Sequence, residues 1–390
     1  TPEMAERRID VKRKMMSWLL LCAILISNLV IPINACAANA EIKIPVTITE
    51  KNGISVSDYL TRRGVALEKG SVYDCTELVL KDDSGNEIPF TAEPMQYYDD
   101  GSIQWLKFAV SADLKPNEIK RMYITNGKRA FKSAVTCTQF PDHIQMSNDA
   151  ISLRMGYRGI ESITYQNKEL LAESGLNVYA EVNGSVQSMK GTEFEIVQES
   201  DLYVKARVFG AISDTVQGEI CATLSYNSEW VDMEYRINTL QNETIRSTGM
   251  MLRDSSQPVG VVTEDFVNIG SMTLISTDNS KFRGAVSKRE DTGFIADGST
   301  IKIAPIVNNT DFMWYDGVTR TNHLYLSLGK NGEGDYKTIS NPPECTVSAE
   351  QFVAAGVISD MEIPSPAEKM ISALHWASDK LDGRFEAGSI

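Results

Sequence analysis

The stretch Arg320-Thr321-Asn322-His323-Leu324-Tyr325-Leu326-Ser327-Leu328 carries the side chains best suited to proton transfer. Read as a strand, it alternates with period two. Leu324, Leu326 and Leu328 fall on a core face, and Thr321, His323, Tyr325 and Ser327 fall on the opposite one. Arg320 stands at the strand's start. Imidazole, phenol and guanidinium supply a proton acceptor, a proton donor and a fixed positive charge, so Arg320 and His323 are the candidate catalytic pair. The same row also reads as a plain solvated strand face. Just upstream, Trp314 and Tyr315 adjoin the turn pair Asp316-Gly317, which predicts exposed rings able to contact a ligand together with Tyr325. Trp105, in a strand apolar on both sides, reads as barrel core. Asp99 and Asp100 have the look of a Ca²⁺ pair, but Asp-Asp-Gly is accounted for as turn chemistry. No metal and no cofactor is therefore expected.

Other chemistries find no residues. The sequence has no G-x-S-x-G, no H-E-x-x-H and no Walker A loop, and Gly332-Glu333-Gly334 reads as linker glycine rather than a phosphate cradle. Three His in 390 residues exclude a His-rich metal site. With 38 basic against 52 acidic residues the net charge is −14, which repels phosphate backbones, so no nucleic-acid partner is expected. An apolar content of 42% supports two or three real cores.

Residues 1–40 read as an address. Lys12, Arg13 and Lys14 precede the apolar run SWLLLCAILISNLVIPI, and Ala35-Cys36-Ala37 and Ala38-Asn39-Ala40 both fit a small-residue cleavage site. The run is short for a membrane span and is interrupted by Asn28 and Pro32. A secretory signal is the expectation, with a lipid anchor at Cys36 or a single span as alternatives. Each predicts a secreted or cell-surface protein that meets a membrane only through that signal or anchor. The remaining cysteines, Cys75, Cys137, Cys221 and Cys345, are scattered without a C-x-x-C pair and read as buried free thiols.

The elements that must position the candidates are strands. From residue 41 to about 330, short runs rich in Val, Ile, Thr, Tyr and Phe alternate with turn clusters such as Asp83-Ser84-Gly85-Asn86 and Asp99-Asp100-Gly101. This predicts a mostly-β chain: a small barrel over 41–130 and a large antiparallel β-sandwich over 140–330. Residues 331–362 are expected to be a linker, Gly-, Asn- and Pro-rich over 331–347. A helix then opens at the capping box Ser365-Pro366-Ala367-Glu368, with Met370, Leu374, Ala377 and Leu381 at helical spacing and Gly383 as its stop.

The order of motifs resembles the exo-rhamnogalacturonan lyase and YetA-like family. Ile44 to Glu50 (IPVTITE), the hairpin DDSGNEIPF, and Asp99 to Phe108 (DDGSIQWLKF) are similar to the opening strand, the G-x-x-(I/V)-P hairpin and the D-G-S-(I/V)-x-W segment of that family's N-terminal RIFT barrel. NDAISLRMGYRGIESITYQNKELL, DLYVKARVFG and DGVTRTNHLYLSL are similar to its central β-sandwich. Where that sandwich ends in a (K/R)-T-H-E-like strand, this sequence reads Arg320-Thr321-Asn322-His323, with Asn in the place of the His. The resemblance implies that residues 363–390 begin an α/α toroid lying almost wholly outside these 390 residues. It also implies β-elimination on the galacturonate–rhamnose backbone of pectin, hence a pectin-type polysaccharide as partner. Elimination beside a uronate needs a cation to neutralise the carboxylate, a base for the C5 proton and an acid for the leaving oxygen. The expectation is a polysaccharide lyase in full-length form, with this stretch alone inactive. The alternative is a non-catalytic carbohydrate-binding or structural surface module.

Overall fold

The computed structural model describes residues 40–356, apart from 172–174, 254–256, 264, 277–292, 298–299 and 330–331. The expected signal segment and the helix expected from Ser365 lie outside the described residues. The chain is mostly β, with every strand pair antiparallel.

The first unit is a small barrel. Strand β1 (Lys43–Thr49) buries Ile44, Val46 and Ile48 on alternate positions, the simplest signature of a one-faced strand. Strands β2 (Val56–Ala66) and β3 (Ile103–Leu114) pair along their length and, with Phe90–Tyr97, form a three-stranded sheet. It packs on a five-stranded sheet that contains β1 through a core of Ile48, Val65, Leu80, Phe90, Leu106, Phe108 and Met122, among others. The turn residues act as read from the sequence. Asp82 accepts the N–H groups of Ser84 and Asn86 at 2.9 and 2.8 Å, and Asp100 accepts Ser102 N–H at 3.0 Å and its hydroxyl at 2.6 Å. Gly85 and Gly101 hold φ of +84° and +83°, a conformation that favours glycine. Trp105 corrects the reading. Leu106, Phe108 and Val110 point inward, so Trp105 lies on the other side, half-buried, with its ring 6.0 Å from Phe352.

The second unit is a sandwich of an eight-stranded and a ten-stranded sheet. The eight-stranded sheet is centred on β4 (Val216–Ser225), β5 (Trp230–Thr239) and β6 (Thr319–Leu328), neighbours in that order. β5 alternates without exception: Val231, Met233, Tyr235 and Ile237 enter the core, while Asp232, Glu234 and Arg236 face outward. Residues of both sheets share that core, Met250, Leu252, Ile301 and Ile303 of the ten-stranded sheet among them. An apolar seam of Ala109, Leu202 and Tyr203, with Phe131 edge-on to Tyr226 at 4.8 Å, joins the barrel to the sandwich.

Of the segment read as a linker, residues 332–356 lie within the described structure and carry regular elements; 331 and 357–362 lie outside the described residues. Helix α1 (Gly332–Ser340) starts at the glycines taken for linker, and strand β7 (Glu344–Val347) returns to the barrel and pairs with β1 from Val46↔Val347 to Thr49↔Glu344. Arg63 Nε donates to the Cys345 carbonyl at 2.8 Å. Helix α2 (Ala349–Ala354) is tied to β2 by Gln351 Nε2 donating to the Ala66 carbonyl at 2.9 Å. The physical reason is the free edge of β1: an unpaired row of backbone groups beside a core is satisfied by any short strand that can reach it. Cys345 is buried in the barrel core and Val347 packs against it, which anchors β7.

Cys75, Cys137, Cys221 and Cys345 are all free. Cys221 and Cys345 are buried, while Cys75 and Cys137 are half-buried. Burial pushes the thiols up, Cys221 to about 12 with Glu219 adding to it, so none is poised as a thiolate.

Candidate functional site

The strand order places a cleft of about 800 Å³ where β2 of the barrel, the β4–β5 turn, the end of β6 and α1 converge. Two local features aim side chains into it. In β2 the register against β3 slips between Val56 and Tyr59, a bulge that inserts one residue. At this bulge Asp58 takes φ of +48°, which a short polar side chain tolerates. Its N–H is held by Asp113 Oδ1 at 2.9 Å. Opposite, Asn227 in the turn between β4 and β5 also takes φ of +48°, and its side-chain amide bonds the Asp58 carboxylate. The two domains thus meet through a pair of left-handed residues at the cleft's edge.

The lining is strongly acidic. Asp58, Glu229, Asp232 and Asp335 contribute carboxyls, and among the described residues that line the cleft Arg62 is the only cation. Arg62 Nη2 lies 3.8 Å from Asp232 Oδ2, and its guanidinium sits over the Tyr203 ring at 4.9 Å. Burial pushes the Asp58 carboxyl above its ordinary 3.8, Asp113 adds to this, and the Asn227 bond opposes it. Asp232 keeps 38% of its side chain wetted, yet enclosure by the cleft floor raises it also, against the pull of Arg62, His323 and Lys205. Burial raises Asp335 despite hydrogen bonds from the Ser327 hydroxyl and the Trp230 side chain, and Glu229 adds to the rise. Glu229 in turn accepts the Tyr165 hydroxyl. Tyr59 is pushed to about 12, first by burial and then by nearby Tyr325. Phenols and carboxyls held up in this way keep their protons to higher pH than usual and are weaker acids than their exposed counterparts.

The residues singled out in the sequence do not gather at one point. The three-residue step from Arg320 to His323 puts them on opposite faces of the sheet. Arg320 shares the inward parity with Asn322 and Leu324 and lies 5.9 Å from the Trp314 ring. His323 faces out, paired across the ladder with Glu234, its Nε2 3.9 Å from Glu234 Oε2. Trp314 corrects the expectation of an exposed ring: it is 3% exposed within the sandwich core, because it ends a strand of the ten-stranded sheet before the turn begins. Tyr315, one residue on, is 66% exposed but stands outside the cleft lining. Tyr325 alone of the five lines the cleft, opposite Asp232 in the ladder. Ser327, expected on an exposed face, is buried by its bond to Asp335 of α1. Asp58, Arg62, Asp232 and Asp335 escaped the sequence reading. The alternation of β5 was available for Asp232, but the bulge at Asp58 and the fold-back of α1 had no local signal.

The outward face of the eight-stranded sheet continues as a charged ladder. Arg207 reaches Glu219 at 3.7 Å, Arg236 reaches Glu219 at 3.6 Å and Glu234 at 3.3 Å, and Glu219 is only 7% exposed between them. The described residues offer no group of three or more His, Cys, Asp or Glu arranged to hold a metal ion.

A family model described as the PcRGLX-like N-terminal RIFT barrel domain matches residues 56–125, within the barrel. No curated protein matches the chain in sequence. Among solved structures the chain is similar to an alpha-mannosidase from Enterococcus faecalis V583, at 11% identity and a TM-score of 0.50, over 79% of this chain and 46% of that one. It is also similar to a protein in the glycosyl hydrolase family 38 from Enterococcus faecalis, at 11% identity and a TM-score of 0.49, over 79% and 47%. The chain thus spans about half the length of the solved proteins it matches. At this identity the likeness is one of fold: a RIFT-type barrel followed by large antiparallel sheets.

Proposed function

We propose that this chain is the β portion of an exported carbohydrate-active protein directed at a pectin-type polysaccharide, and that its glycan site is the cleft between barrel and sandwich. The carrying observation is the cleft itself. It is open, it is built jointly by two domains and α1, and it is lined by hydroxyls, amides and carboxyls that hydrogen-bond polyols. The matched barrel family and the carbohydrate-active proteins sharing the fold support the reading. Export rests on the signal-like residues 1–40. β-Elimination on the galacturonate–rhamnose backbone is the activity proposed for the full-length protein, with its chemistry completed outside these residues. Arg62, the cleft's cation, is already engaged by Asp232, and Arg320 and His323 face opposite ways. That last geometry also favours a second reading, a carbohydrate-binding module without chemistry.

Titration calorimetry with rhamnogalacturonan oligosaccharides tests the site. Ser57, exposed on the cleft wall, is the place to fill it: Ser57→Trp is expected to abolish binding while leaving the melting temperature unchanged. Unaltered binding in that variant removes the cleft from consideration. Ultraviolet absorbance of an unsaturated uronate product, followed with this chain and with the full-length protein, separates the two readings. Product from the full-length protein alone supports the lyase, and product from neither supports the binding module.

A further inference from the structure

We infer that the cleft selects the uncharged sugars of its glycan and rejects uronates, an inference that rests on the glycan reading above. Four observations carry it. Asp58, Glu229, Asp232 and Asp335 come to the lining from three separate parts of the fold, so the negative field is a property of the assembled cleft and not of one loop. Among the described lining residues the one cation, Arg62, already has a counter-charge, its guanidinium 3.8 Å from Asp232 and stacked over Tyr203 at 4.9 Å. A sugar carboxylate approaching it meets the Asp232 carboxylate beside it. The Asp58, Asp232 and Asp335 carboxyls are each raised by enclosure, so the site already resists the negative charge it holds, and a further anion meets the same penalty. Finally, three of the four carboxylates are oriented by a neighbour: Asn227 for Asp58, Tyr165 for Glu229, Ser327 for Asp335. An oriented carboxylate keeps accepting capacity for sugar hydroxyls, which donate, and offers nothing to a sugar carboxylate, which cannot.

In a galacturonate–rhamnose polymer this places a neutral sugar in the cleft and leaves the uronate, whose elimination needs a neutralising cation, to surfaces beyond it. A like charge brought to about 4 Å is repelled even in water and more strongly in a recess, so discrimination of about tenfold is expected.

The experiment compares two forms of one rhamnogalacturonan backbone oligosaccharide: native, and with its carboxyls reduced to primary alcohols. Calorimetry on the wild-type chain at low salt is expected to show the reduced form binding about tenfold tighter, with the gap closing at ~0.5 M salt as the charges are screened. Asp232→Asn removes one charge and releases Arg62, and is expected to close the gap between the two forms, the native form gaining about tenfold relative to the reduced one. Asp58→Asn serves as the second variant, because Asn also tolerates the left-handed backbone, and it is expected to shift selectivity in the same direction. Equal binding of the two forms, or tighter binding of the native one, overturns the selectivity and leaves the glycan site standing. Binding of neither form overturns both. Selectivity that both variants leave unchanged removes it from these carboxylates.

Discussion

In the sandwich's eight-stranded sheet, Lys190–Glu199, Tyr203–Ala211, β4 and β5 follow one another in sequence and pair as successive hairpins. The barrel is assembled otherwise. Its first strand, β1, lies between Ile119–Asn126 and β7, and β7 arrives only after the whole sandwich has been made. Local hairpins form with little loop entropy to overcome, whereas the closure of β1 by β7 joins residues nearly the full described length apart. The two units bury similar side chains but depend differently on the far end of the chain. The cleft lies at the joint, walled by the barrel's bulge, the sandwich's turn and the helix that leads back to β7. A site built there is rigid only while the return strand is in place.

The sharpest way to break this contrast is to remove residues 331–390. Among the described residues the barrel then loses β7 along the β1 edge, Gln351 from β2 and Phe352 from Trp105, while the sandwich loses the α1 contacts. Hydrogen exchange followed by mass spectrometry is expected to show protection of β1 falling about 100-fold or more, with β4 and β5 within about threefold of the full chain. Equal loss in both units would show that they fold as one.

Glu50 gives the next largest effect, again in the barrel. Its buried carboxylate accepts the N–H groups of Asn52 at 2.6 Å, Gly53 at 2.9 Å, Ile54 at 3.3 Å and Asn117 at 2.8 Å, so one side chain holds two turns. Burial alone would raise it, but the four bonds outweigh burial and hold it below its ordinary 4.5. Glu50→Ala orphans these donors and is expected to cost about 3 kcal/mol in denaturant unfolding. The sign in pH follows from the lowered folded value. The stabilisation is complete above about 4.5 and is lost as pH falls through the folded value, so Glu50→Ala should flatten the acid limb of the wild-type stability curve. An unchanged acid limb would assign acid sensitivity to other carboxyls.

These cases show what could be read in advance. The strand-and-turn rhythm gave the mostly-β class, because alternation such as that of β5 and turn residues such as Asp82 and Asp100 act locally. The outward row His323 and Tyr325 was legible for the same reason, and so, on the same parity, was the separation of Arg320 from it. Trp314 was misplaced because the strand runs up to it and the turn begins only after it. The return of β7 and the role of Glu50 were not legible. A four-residue strand among Gly, Asn and Pro carries too little pattern, and a carboxylate's backbone partners are set by tertiary closure. The site suffered most, since Asp58, Arg62, Asp232 and Asp335 meet only after the barrel and sandwich dock.

A smaller effect tests the sandwich on its own terms. Tyr179 is fully buried on the side of its strand away from the main core, and its hydroxyl lies 2.8 Å from Ser247 Oγ, also buried. Tyr179→Phe leaves that serine without its phenol partner and is expected to cost about 1–2 kcal/mol, read as a shift in denaturant midpoint at unchanged slope. Glycan binding should not change, because Tyr179 is not among the cleft residues. Weakened binding would mean the sandwich transmits strain to the joint.

The smallest expected effect concerns how the barrel's closure is held. Lys51 and Glu344 form an ion pair bridging the start of β7 to the turn after β1, and it looks like a clasp. Both side chains are about half exposed, at 48% and 47%. In that setting each gains little over its hydration, is screened by salt and gives up rotamer freedom to hold the other. The closure already has four residue pairs of β1–β7 ladder, the Arg63 bond to the Cys345 carbonyl, and Asn52 donating to the Asn341 carbonyl at 2.8 Å. Lys51→Ala should therefore cost no more than about 0.5 kcal/mol, with the small difference vanishing at high salt. Thermal melts at low and high ionic strength, with hydrogen exchange read on β1, measure it. A loss of 2 kcal/mol or more that persists in ~1 M salt would mean that the side-chain clasp, and not the backbone ladder, holds the return strand.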